Sequence, residues 1–166
     1  TYLTNVSFIE RLIKSEKTFD LPNKIDRLEE LFSNNNSLVN AIDTSGSSPL
    51  HHAAWNGKIE TMKWLINNKA DIEFQNNLNW SPLHWATRNG QIQSVRLLLE
   101  NNAKVNLQGN LNQTALHLAV KHNYEKIVTV VKKTIFLGSK WKKHPDQEEA
   151  LNTKQVEMAT IGMIIF

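Results

Sequence analysis

Apolar residues recur at helical spacing in two stretches of the chain. Ile59, Met62, Leu65 and Ile66 fall on one face of a helix, and Ile92, Val95, Leu98 and Leu99 fall on the same face of another. The two stretches stand 33 residues apart. The same offset carries Ser48-Pro49-Leu50-His51 into Ser81-Pro82-Leu83-His84 and, more weakly, into Thr114-Ala115-Leu116-His117. It also pairs Ala53 with Ala86 and Ala119, Gly57 with Gly90 and Asn123, and Ala70 with Ala103. A fixed period of this length implies a stack of small units rather than one globular core. Such stacks bury little within a unit and present long surfaces to partners.

Each repeated position has a local reason. Ser48, Ser81 and Thr114 are suited to cap a helix, and Pro49 and Pro82 suit its first position. The small Ala53, Ala54 and Ala86 let neighbouring helices approach closely. Gly57 and Gly90 fit a left-handed residue ending the first helix, with Asn123 the next-best choice. Asn67-Asn68 and Asn101-Asn102 read as turns after the second helix. Asp71–Phe74 and Lys104–Leu107 are expected to be short extended pieces that open β-turn fingers between units.

These residues resemble the ankyrin repeat family, whose unit carries T-P-L-H-x-A-A-x-x-G, an apolar second helix and an A-D-V-N-like ending. The resemblance implies an all-α solenoid of helix-turn-helix units joined by β-turn fingers. Repeats fall at residues 43–75, 76–108 and 109–134. The third diverges, because Lys132 and Lys133 sit where the second helix should stay apolar and end.

Residues 1–42 read as an N-terminal helical cap or degenerate repeat. Val6, Phe8, Ile9, Leu12 and Ile13 form an amphipathic first helix, and Ile25, Leu28, Leu31 and Phe32 form the second. Residues 135–166 lose the period. They are expected to be a capping helix or a partly disordered tail.

Charge and composition exclude more than they select. The net charge is +3, hydrophobic residues make up 40% and charged ones 21%, as in an ordinary globular chain. With no cysteine there is no disulfide framework and no thiol chemistry. No stretch reaches the roughly 20 apolar residues of a membrane span. A cytoplasmic or nuclear location is expected. Phosphate-cradling glycine loops, nucleophile elbows and paired carboxylates in apolar runs are all absent, so the chain reads as no enzyme, with no cofactor.

His51, His84 and His117 invite a metal reading, but equivalent residues on stacked helices lie about 8–10 Å apart, whereas zinc ligands sit roughly 2 Å from a shared ion. No metal is expected, and the resemblance implies that this histidine ties the loop of its own unit to that of the next.

The resemblance implies non-catalytic protein binding, in a scaffolding or regulatory role, through a concave face of finger tips and first helices. Carried onto this sequence, that face comprises Trp55, Asn56, Asn77, Leu78, Trp80, Arg88, Asn89, Leu111, Lys121 and His122, with Thr44, Ser45, Ser47, Asn110 and Gln113 beside them. Trp55 and Trp80 read as binding anchors, with packing between units as the alternative; Trp64 reads as core, and Trp85 as packing between first helices. The expected partner is another protein, with the chain monomeric on its own and nucleic acid or membrane disfavoured.

Two alternatives rest on other features. Seven lysines and one acid, Glu125, lie between Lys121 and Lys143 and suit an acidic partner, nucleic acid or anionic lipid. The start at Thr1 and the apolar end at Phe166 suit an accessory module of a larger protein. The resemblance also marks Asn106, after Val105, as a candidate for asparaginyl hydroxylation, and Asn40 more loosely.

Overall fold

The computed structural model describes Asp26, Glu30 and residues 36–138. Helix pairs repeat along them: α1 (Pro49–Trp55) with α2 (Ile59–Asn67), α3 (Pro82–Arg88) with α4 (Ile92–Glu100), and α5 (Ala115–Lys121) with α6 (Glu125–Leu137). No strand occurs among the described residues. The first helices stack on one another, α1 on α3 and α3 on α5, while α2, α4 and α6 form a second row behind them. Of the expected N-terminal helices only Asp26 and Glu30, both helical, fall among the described residues; a 3-10 helix at Asn36–Asn40 follows, with Leu38 and Val39 at the edge of the core, and the tail from residue 139 lies outside the described residues.

The core lies between the rows. Leu50, Met62, Leu65, Leu83, Leu98, Leu118 and Ile127 are fully buried, with Ala53, Ala54, Ala86 and Ala119 at the close helix contacts. Burying a leucine of this kind stabilises by about 1.5–3 kcal/mol.

Helix ends follow from single residues. Ser48, Ser81 and Thr114 are the N-caps. Gly57 and Gly90 take φ 64° and 68° after the first helices, and Asn123 takes the same turn at φ 56°.

The third unit departs from the other two at α6, and the cause is local. The side chains of Asn68 and Asn101 each donate to a carbonyl one turn back, and the hydroxyl of Thr134 makes the same bond to Val130. Whether the helix stops there depends on the next residue. Lys69 and Asn102 both turn left-handed at φ 69°, ending their helices. Ile135 holds that position in the third unit, and a β-branched side chain resists the left-handed region. The helix therefore continues to Gly138, which supplies φ 55°. So α6 runs 13 residues where α2 and α4 run nine.

A second departure concerns Asp71–Phe74 and Lys104–Leu107. The sequence predicts extended pieces, and both fold as turns. Glu73 N–H bonds to Asp71 Oδ1 at 2.9 Å, and Leu107 N–H to Lys104 O at 3.1 Å. A short side-chain acceptor that caps the backbone two residues on favours a turn over a strand.

Candidate interaction face

Three fingers precede the first helices, each closed by the same main-chain bond: Asp43 N–H to Ser47 O, Asn76 N–H to Trp80 O, and Gly109 N–H to Gln113 O, at 2.8–3.0 Å. In the first finger Asp43 Oδ1 also accepts from the N–H groups of Ser45 and Ser47. In the second, Asn76 Oδ1 accepts from Leu78 and Trp80. The third finger has no such acceptor. A Cβ at Gly109 would lie 2.8 Å from Trp80 Cδ1 and 3.0 Å from His84 Nε2, so only glycine fits. Gly46, Asn79 and Asn112 turn left-handed at the same position of the three fingers, at φ 73°, 56° and 57°; without that side chain the third tip adds Leu111, also left-handed at φ 56°.

Histidines lock the second and third fingers to the preceding first helices. His51 Nε2 donates to Trp80 O at 2.8 Å, and His84 Nε2 donates to Gln113 O at 3.0 Å. A carbonyl only accepts, so Nε2 carries the proton. Nδ1 of His51 then accepts from the N–H and hydroxyl of Ser48, at 3.1 and 2.9 Å. With both ring nitrogens engaged, neither is presented to a metal. Burial lowers the pKa of His51 to about 4, the Trp80 bond opposing part of that effect. Burial lowers His84 in the same direction. Among the described residues no group of three His, Asp or Glu side chains could hold a metal ion.

The residues assigned to the face have different surroundings. Leu78 is 56% exposed and Leu111 82%, at the same position on the tips of consecutive fingers. Arg88, Asn89, Lys121, His122 and Asn77 are also exposed, while Trp55 and Asn56 are half-buried. Trp80 differs from its neighbours: it is only 7% exposed, and its ring forms a floor beneath the Arg88 guanidinium, 4.7 Å from the ring centroid. Its indole N–H has no acceptor among the described residues. For Trp80 the packing alternative applies, and Ser47, at 1% exposure, is likewise buried rather than displayed.

The asparagines serve the frame. Asn89 Nδ2 reaches back to Trp55 O at 2.7 Å, Asn56 Nδ2 bonds His52 O at 2.8 Å, and Asn77 N–H joins the second finger to Ser45 O of the first at 3.1 Å. Trp55 meets Trp85 edge-on at 5.5 Å, and Trp85 also packs on His51 and His52, as expected of a residue between first helices. Trp64 is half-buried against the core.

Three features had no mark in the sequence. The Arg88–Trp80 stack joins residues of different elements. His52 pairs with Asp43 at 2.9 Å, yet its equivalents, Trp85 and Leu118, are apolar. Val120 is 55% exposed although its equivalents Ala54 and Thr87 are buried, because no further first helix covers it among the described residues.

Asn106, the modification candidate, is exposed in the turn after α4. Of the basic stretch, Lys121 and Lys126 are exposed and Lys132 and Lys133 half-buried; Lys140, Lys142 and Lys143 lie outside the described residues. No described helix is long and apolar enough to cross a membrane.

No curated protein matches the chain. A family model for ankyrin repeats, in three copies, matches residues 7–109 and 50–140. Ankyrin repeats are generally protein–protein interaction modules and typically non-catalytic. The helical units, their fingers and this match agree: the chain belongs to the ankyrin repeat family.

Proposed function

We propose that this chain is a non-catalytic adaptor or regulatory module that binds a partner protein through the face formed by its fingers and first helices. The observation that carries the reading is the pair Leu78 and Leu111. Large apolar side chains stand exposed at the same position of two consecutive fingers, on a frame held by main-chain and histidine bonds. Exposed aliphatic groups on a rigid support lose little ordering entropy when a partner covers them. Trp55, Arg88, Lys121 and His122, at the ends of the first helices, complete the proposed face. Trp80 contributes as the support beneath Arg88. Action in the cytoplasm or nucleus, as a monomer, fits this reading, as does service as one module of a larger protein.

A pull-down from cell extract tests it. The wild-type chain is compared with a Trp55→Ala, Leu78→Ala, Leu111→Ala variant of matched circular dichroism. A protein retained by the first and lost by the second supports the face. Equal recovery of every protein contradicts it, and loss instead in a Lys126→Glu, Lys132→Glu, Lys133→Glu variant moves the site to the basic stretch.

Asn106 is proposed as a hydroxylation site. Its exposure in a turn supports this. A gain of one oxygen on its peptide after treatment with an asparaginyl hydroxylase would bear it out, and an unchanged mass would contradict it.

A further inference from the structure

Among the described residues, acidic side chains are distributed unevenly. The fingers and first helices comprise residues 43–56, 76–89 and 109–122, and their one acid is Asp43. That carboxylate is fully engaged. Oδ2 meets His52 Nε2 at 2.9 Å, and Oδ1 accepts from Ser45 N–H, Ser45 Oγ–H and Ser47 N–H at 2.7–2.8 Å. Glu60, Glu100 and Glu125 lie on α2, α4 and α6, and Asp71 and Glu73 in the turn beyond α2. Among the described residues, the face proposed for binding therefore has no carboxylate left over to balance its outer cations. Neither Arg88 nor Lys121 has an acidic partner among the described residues.

The cations are also in register. Arg88 and Lys121 hold the same position, 33 residues apart, at the ends of α3 and α5. Leu78 and Leu111 stand at the matching finger tips. Arg88 is pre-positioned, since its guanidinium lies over the buried Trp80 ring at 4.7 Å. Cation–π attraction holds the guanidinium over the ring, and its N–H groups suit a bidentate carboxylate.

We infer that the partner segment recognised here is an extended acidic peptide, with two carboxylates set to meet Arg88 and Lys121 and aliphatic side chains set against Leu78 and Leu111. The inference rests on the binding face proposed above and specifies its ligand. Stacked units advance by about 8–10 Å, and an extended chain by about 3.3 Å per residue. The two carboxylates therefore fall about three residues apart. Arg88 and Lys121 supply orientation, and the leucines bury apolar area.

The test is selection of short random peptides displayed on phage against the full chain, repeated with Arg88→Glu/Lys121→Glu and with Leu78→Ala/Leu111→Ala, all of matched circular dichroism. The wild type should enrich peptides with paired Asp or Glu about three residues apart beside aliphatic residues. Their affinity should fall by about tenfold or more with either variant and should weaken with added salt. The charge-reversed variant should enrich lysine at the same spacing. Enrichment of neutral or basic peptides by the wild type, still lost with the leucine variant, overturns the acidic ligand and leaves the face standing. Enriched peptides that bind all three chains equally overturn both. No enrichment, or tighter binding of a labelled oligothymidylate than of any peptide, also overturns the inference.

Discussion

His51 and Trp80 stand 29 residues apart in the chain, yet the imidazole Nε2–H of the first donates to the main-chain carbonyl of the second at 2.8 Å. The bond carries a side chain of one unit into the finger of the next, and His84 repeats it on Gln113. Removing the ring strands a buried carbonyl, frees the N-cap Ser48 and leaves a hole against Trp85 and Phe74. His51→Ala should lower unfolding free energy by about 2–4 kcal/mol. Urea unfolding followed by circular dichroism measures this, and a loss under about 1 kcal/mol, in the range of a surface change, would contradict the role.

The same ring predicts a response to acid. Burial holds His51 neutral, with its folded pKa near 4 against an ordinary value of 6.5. Protons therefore bind the unfolded chain first. The contribution is intact above about pH 6.5, is lost progressively as pH falls towards 4, and levels off below that. The full loss for this group is about 3 kcal/mol, and His84 adds in the same direction. Unfolding midpoints measured across this range should fall, and His51→Gln should flatten part of the slope.

Much of this architecture was legible in the sequence because each unit states its ends twice. The serine caps, the glycines after the first helices and the apolar face of α2 and α4 all recur in register, and each has one physical meaning. Two kinds of feature were not legible. One depends on a residue's tolerance for a backbone angle rather than its polarity: Ile135, where Lys69 and Asn102 turn, lengthened α6. The other depends on neighbours across units. Trp80 and Leu78 stand two residues apart on one finger, and spacing alone put both on display, but the ring of Trp80 lies against Gly109 and under Arg88.

A buried hydroxyl offers a stabilising change. Thr87 is completely buried on α3, and its Oγ1 has no partner among the described residues. Thr87→Val keeps the shape and removes the desolvated group. It should raise unfolding free energy by about 1 kcal/mol, seen as a higher thermal midpoint. A lower midpoint would mean that the hydroxyl is satisfied after all.

Leu111 sets stability against binding. Its left-handed backbone, φ 56° and ψ 31°, is strained for a residue with a Cβ, and its 82% exposed side chain gains little from the fold. Leu111→Gly should stabilise the chain by about 1 kcal/mol while weakening partner binding. Thermal melts and a binding assay on one preparation separate the two effects. Weaker binding without any stabilisation would remove the strain argument.

The most direct measurement places a photo-crosslinking residue at Leu111 in one chain and at Gln93, exposed on α4, in another. Both are irradiated in cell extract and the adducts analysed by mass spectrometry. Binding through the finger face predicts a discrete protein adduct from position 111 and none from position 93. An adduct from position 93 alone would put the partner on the second-helix row and contradict the account.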